Sequence, residues 1–106
     1  MYKQDIINAI QSQNMLKITF RREKDDNWVV RSVAPYDVYP RENKQSGFME
    51  DILLGYAERD FGHEAHAVSI YLNNIQSIIE LNESFNGQEI RRLLKVKKSP
   101  YILRSW

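Results

Sequence analysis

The chain has 106 residues, 42% of them apolar and 27% charged, a net charge of +1 and no cysteine. That length supports one domain with one core, and that balance belongs to an ordered globular protein, not a disordered one. The absence of cysteine excludes a disulfide scaffold, a thiolate zinc site and a thiol nucleophile, and it fits a cytoplasmic chain. The N-terminus has no apolar run of signal-peptide length, and no stretch approaches the ~20 apolar residues that span a bilayer, so no membrane partner is expected. Charge is unevenly spread. Residues 1–87 hold nine Lys/Arg against thirteen Asp/Glu, a net −4, while residues 88–106 hold six against one, a net +5. A basic tail on an acidic body either meets nucleic acid or docks on the body's own acidic face.

In chain order, residues 2–13 read as an amphipathic helix, with Tyr2, Ile6, Ala9 and Ile10 on one stripe. Asn14 is placed to stop it in the left-handed conformation. Leu16, Ile18 and Phe20 alternate with Lys17, Thr19 and Arg21, the pattern of a half-buried first strand. A polar turn over 23–27 leads to a second strand from Trp28 to about Val33. Pro35 and Pro40 lack a backbone N–H and are predicted to end regular pairing, leaving Tyr36, Val38 and Tyr39 as an extended edge segment.

Residues 41–47 have loop composition. The third strand is centred on Asp51–Tyr56. Ile52, Leu54 and Tyr56 point one way and Leu53, Gly55 and Ala57 the other, so this strand is predicted to be buried on both faces. After a loop over 59–64, strands four and five take 65–72 and 75–81, joined at Leu72-Asn73-Asn74-Ile75 by a tight or 3₁₀ turn. Asn86 with Glu89 three residues on resembles a capping box, and it opens a second helix with Ile90, Leu93 and Leu94 as its stripe. Pro100 stops that helix by Ser99. Tyr101-Ile102-Leu103-Arg104-Ser105-Trp106 is too apolar for a free tail and is expected to dock on the domain or on a second copy of it. The sum is a mainly β, α+β chain: a small, five-stranded, partly open barrel in one domain over 1–106. Its barrel core covers about 15–85, with one helix in front and a short helix and docked tail over 86–106.

Catalysis has little to stand on. His63 and His66 are one residue short of the zinc-protease spacing, their rings are expected to diverge, and no third ligand is in view, so no metal is expected. Carboxylates fall in turns (Asp25, Asp26) or at strand ends (Glu50, Asp51, Glu58, Asp60), none of them in an apolar run that would raise a pKa for acid–base work. Ser32, Ser69 and Ser77 lack a nucleophile elbow, and four scattered glycines form no phosphate loop. No enzyme and no cofactor are expected.

Arg31 is the informative residue. It shares a strand face with Val29 and Val33, which places its guanidinium in a cleft where it either clamps a phosphate or carboxylate or pairs with Asp37 or Glu58. Lys17, Arg21 and Arg22 form a second basic candidate. Tyr36, Tyr39, Phe48 and Tyr71 are available to stack on bases, although aromatics in small barrels more often fill the core.

Several pieces in order resemble the WYL-domain family of bacterial regulators: Ile7-Asn8-Ala9-Ile10, Leu16-Lys17-Ile18-Thr19-Phe20, Arg31-Ser32-Val33-Ala34-Pro35, Leu53-Leu54-Gly55-Tyr56, and Leu72-Asn73-Asn74-Ile75-Gln76-Ser77-Ile78 leading to Glu83-Ser84-Phe85. The resemblance covers about residues 5–85. It implies an SH3/Sm-like barrel that binds or senses a ligand, often nucleic acid or a nucleotide, in transcriptional control or phage defence. In the family the barrel is usually attached to a helix-turn-helix region; with none ahead of the first helix, this chain reads as a stand-alone, divergent version. The family's name tripeptide falls on Asp51-Ile52-Leu53, and its basic positions around the fourth strand fall on Val68, Tyr71 and Asn74, none of them charged. The arginine before the Val-x-Pro segment is kept as Arg31.

The resulting expectation is a non-enzymatic, ligand- or nucleic-acid-binding regulatory domain. Arg31 would be its anion contact, Tyr71 would line the cleft, and Lys95, Lys97 and Lys98 would add attraction for single-stranded nucleic acid or a nucleotide. The alternative is an assembly module, a homodimer formed through the C-terminal tail, that has lost the family's ligand pocket.

Overall fold

The computed structural model describes residues 2–60 and 62–106. Helix α1 (Lys3–Ser12) precedes strands β1 (Asn14–Arg21), β2 (Trp28–Asn43), β3 (Phe48–Ala57), β4 (His66–Tyr71) and β5 (Ile75–Ser84), and helix α2 (Gly87–Leu94) follows. The strands form one antiparallel sheet in the order β4-β3-β2-β1-β5. A 3₁₀ turn over Leu72–Asn74 carries the chain from β4 to β5, from one edge of the sheet to the other. This is a small α+β, barrel-like fold, as the strand pattern predicts.

The largest departure from the sequence reading lies at the prolines. β2 does not stop near Val33 but runs for 16 residues, through both Pro35 and Pro40, paired with β3 from Val33 to its last residue, Asn43. β1 pairs with β2 only as far as Val33, so beyond that point one side of β2 has no neighbouring strand. Ser32 O accepts from Glu58 N, and Asn43 O accepts from Gly47 N, so both residues face the β3 side. Counting alternately inward from each of them turns Pro35 and Pro40 to the vacant side, where a missing N–H costs no ladder bond. The two counts meet at a β-bulge between Pro35 and Asp37. Smaller departures are at the ends. The left-handed helix stop is Gln13, not Asn14, β4 starts at His66, and β5 continues to Ser84.

β3 is covered on both sides, as its two apolar faces predict. Leu53 and Ala57 join a core with Ile6, Ala9 and Ile10 of α1 and with Leu16, Ile18, Val33 and Val38. Leu54 and Tyr56 turn to a second core built on Met15, Ala34, Tyr36 and Ile90 and closed by α2. Gly55 lets the two strands approach at the bulge: a Cβ there would sit 2.7 Å from Ala34 O and 2.7 Å from Val33 Cγ1.

The C-terminal segment docks on its own domain. Tyr101 N and Ile102 N donate to the Asp37 carboxylate at 2.8 and 2.9 Å, and Trp106 Nε1 donates to Ile10 O at 2.7 Å. The Trp106 ring meets Tyr36 and Phe85 edge-on, each at 5.7 Å between centroids, and borders both cores. Asn86 caps α2 through Gln88 N and Glu89 N, but Glu89 turns to Arg92 at 3.9 Å and does not close the capping box.

Candidate anion-binding groove

A groove runs across the sheet where the β1–β2 turn, the β2–β3 turn and β4 meet. Its wider part, about 500 Å³, is floored by Phe20, Ile52 and Ile70. Arg21, Arg22 and Lys24 come to it from the first turn, Arg41 and Lys44 from the second, and Tyr71 and Asn74 from β4 and the 3₁₀ turn. A narrower part of about 250 Å³ shares Phe20, Arg22, Ser69 and Ile70 with it and ends at Arg31, His63 and His66. Six cations (Arg21, Arg22, Lys24, Arg31, Arg41 and Lys44) thus line the groove against the carboxylates of Glu23 and Glu42. The sign of the groove is positive, and its polar rim sits on an apolar floor.

Some of these cations are already engaged. Arg21 pairs with Asp26 and also donates to Asn74 Oδ1 at 2.9 Å. Arg22 pairs with Asp25 at 2.6 Å, and this hydrogen bond is the main reason the Asp25 carboxyl is held below its ordinary value. Among the described residues, Lys24, Arg41 and Lys44 have no carboxylate within ion-pair distance. Tyr71 donates its hydroxyl to Glu42 O at 3.1 Å, which fixes the ring beside the second turn.

Arg31 is 5% exposed and lies between the narrow end of this groove and a separate 480 Å³ hollow that holds Lys17, Glu58 and Arg59. It pairs with neither the Asp37 nor the Glu58 carboxylate, the two partners offered as the alternative to an anion clamp. Its Nη2 instead donates to two backbone carbonyls, Glu58 O at 2.7 Å and Glu64 O at 3.2 Å, pinning both ends of the β3–β4 loop, while Nε is buried without a partner. No carboxylate among the described residues lies within ion-pair distance of the guanidinium.

His63 and His66 are exposed, and both border the narrow end of the groove. His66 Nδ1 lies 2.8 Å from Glu64 O, and no cluster of three metal-binding side chains occurs among the described residues.

The residues singled out from sequence fall into two places. Arg31 and Tyr71 line parts of the one groove, whereas Lys95, Lys97 and Lys98 surround a different hollow that shares no residue with it. Of the aromatics, Tyr36 is core, Tyr39 faces the lysine hollow, and Phe48 stands 72% exposed near the tip of the β2–β3 hairpin. The sequence reading missed Lys24, Arg41 and Lys44. Their signal was present as basic residues inside turns, but only the continuation of β2 brings the second turn back beside the first. It also missed a shielded carboxylate: Asp37 sits in the apolar run 35–39, and the bulge turns it inward to 7% exposure.

The architecture defines the class of protein first, a small barrel-like α+β domain, and comparison with known proteins agrees at that level. No family model matches the sequence, and no curated protein matches it. A solved structure of similar fold is Proteasome accessory factor B/C (PafBC) of Arthrobacter aurescens, with a TM-score of 0.63 over 92% of this chain and 14% identity. The chain spans 13% of the length of that protein. The likeness is one of fold alone. No helix among the described residues is long and apolar enough to cross a membrane.

Proposed function

We propose that this chain is a divergent WYL-like domain with a regulatory, non-catalytic role, and that it binds single-stranded nucleic acid or a nucleotide in the groove between the β1–β2 and β2–β3 turns. The observation that carries this reading is the supply of cations to the groove from two turns. The family's basic positions around β4 are replaced by Val68, Tyr71 and Asn74, yet Lys24, Arg41 and Lys44 bring unpaired charge to the same groove. Tyr71 on the groove wall and Phe48 near the hairpin tip offer faces on which bases stack, an interaction worth about 1–3 kcal/mol per base. Arg31 gives the narrow end a buried positive charge. A fold shared with a protein named an accessory factor fits a regulatory role.

Fluorescence polarisation of labelled single-stranded oligonucleotides, titrated at several salt concentrations, tests this. Binding should weaken steeply with salt, and Arg41→Ala with Lys44→Ala should flatten the slope of log K against log salt by about 0.7 for each phosphate that is no longer neutralised. Absence of salt-dependent binding to any oligonucleotide or mononucleotide would remove the proposal.

A second reading, association of two copies, is favoured by the outer face of β5-β1-β2 and not by the tail. Trp28, Val30 and Ile79 are 56%, 45% and 57% exposed there, and the register sets them on one face with Lys17 and Thr19. Light scattering on the native chain and on a Val30→Glu, Ile79→Glu variant separates the two: a dimer that the variant abolishes supports association, and a native monomer ends it.

A further inference from the structure

The molecule has a second hollow that this reading leaves unused. It measures about 640 Å³ and lies between the β2–β3 hairpin and residues 95–101. Its volume falls in the range of about 300–1,000 Å³ typical of small-molecule sites. Tyr39, Pro40 and Leu54 give it an apolar floor, and Lys95, Lys97 and Lys98 stand on the facing segment. We propose that this hollow binds a small amphipathic anion, a carboxylate or sulfonate on an acyl or aryl body.

Three observations point to that chemistry. The three lysines fall within four positions of each other, and none has a carboxylate within ion-pair distance among the described residues. The one carboxylate in the lining, Asp37, is already paired with Arg104 at 3.5 Å and accepts from Val38 N, Tyr101 N and Ile102 N, so its charge is not given to the lysines. Tyr39, Pro40 and Leu54 place apolar surface directly beside those charges. A bare phosphate would leave the floor unmatched, and a neutral hydrocarbon would leave the lysines repelling one another. A ligand with one anionic head and an apolar body matches both.

Segment 95–101 is anchored at both ends before a ligand arrives, by Lys95 N donating to Arg92 O at 3.2 Å and by the bonds from Tyr101 N and Ile102 N to Asp37. Little ordering free energy is then lost on binding. The hollow shares no residue with the groove of the proposed function, so the two sites are separable by mutation.

The test is a titration of the full chain with 1-anilinonaphthalene-8-sulfonate, followed by displacement. The native chain should show saturable, one-to-one fluorescence enhancement. Lys97→Glu with Lys98→Glu should weaken it at least tenfold, Arg41→Ala with Lys44→Ala should leave it unchanged, and decanoate should displace the dye where decanol at equal concentration does not. Non-saturable binding would overturn the proposal. So would equal affinity in the Lys97→Glu, Lys98→Glu variant, loss of binding in the Arg41→Ala, Lys44→Ala variant, or equal competition by decanol. Displacement by a glutamate-rich peptide but not by decanoate would overturn the small-molecule assignment.

Discussion

Asp37 and Arg104 form an ion pair at 3.5 Å, with side chains only 10% and 2% exposed. The Arg104 guanidinium lies between two rings, 4.6 Å from the Tyr36 centroid and 4.5 Å from that of Trp106. Burial pushes this guanidinium below the ordinary arginine range, and the neighbouring Asp37 charge pulls it back. A buried charge pair of this kind is costly to break, because the remaining partner keeps its desolvation penalty.

Asp37→Asn should therefore loosen the C-terminal segment without unfolding the barrel. The expected loss is about 3 kcal/mol, the scale for a buried pair losing one charge. Hydrogen exchange should show the amides of Tyr101 and Ile102 losing protection first, since both donate to Asp37. Equal protection in both proteins would show that the carboxylate does not hold the segment.

Gly87→Ala should destabilise the protein although alanine is the better helix former. A Cβ at position 87 would stand 2.8 Å from Gln13 Oε1 and closer still to the Trp106 indole. Overpacking of this type costs about 1–3 kcal/mol. Urea unfolding of the single and double variants should show the cost shrinking in a Trp106→Ala background. Additive losses would place the strain elsewhere.

Arg31→Met should cost about 1–3 kcal/mol, because it leaves the Glu58 and Glu64 carbonyls without their donor. Thermal unfolding measures this directly. Arg31 is thus a support of the β3–β4 loop as well as a charge at the end of the groove, and binding assays on it are interpretable only beside a stability measurement.

Glu50 sets a pH dependence at the β2–β3 turn. Ser46 Oγ donates to its Oε2 at 2.6 Å and the Asn43 amide to its Oε1 at 3.1 Å, and these bonds hold its pKa below the ordinary 4.5, the Ser46 bond contributing most. A depressed carboxylate pKa contributes stability that is full above the unfolded value and is lost as pH falls through the folded one. NMR titration should therefore find Glu50 ionising below pH 4.5, and Ser46→Ala should move it back up.

The strands and both helices were legible in the sequence because alternation and the 3.6-residue stripe report burial directly. Gly55 illustrates the gain: its place between two apolar faces is enough to mark β3 as interior. What stayed hidden depends on neighbours that local pattern does not specify. Pro35 and Pro40 read as terminators, yet β1 ends its pairing at Val33 and leaves their side of β2 unpaired. The same two residues thereby concealed the long hairpin, and with it the approach of Arg41 and Lys44 to the groove. Lys95, Lys97 and Lys98 were legible as a basic cluster, but nothing in the sequence indicated that they face a different hollow from Arg31.

The two prolines have one more effect. An open seam with a full row of donors is an invitation to a stranger's β-segment, and from there to aggregation. Pro40, exposed on the flank of β2 that β1 leaves unpaired, deletes an N–H such a segment would need, and Pro35, buried on the same flank, deletes one that the fold itself would have had to satisfy. β2 can thus go without a partner strand on that side and still resist edge-to-edge stacking at its exposed end.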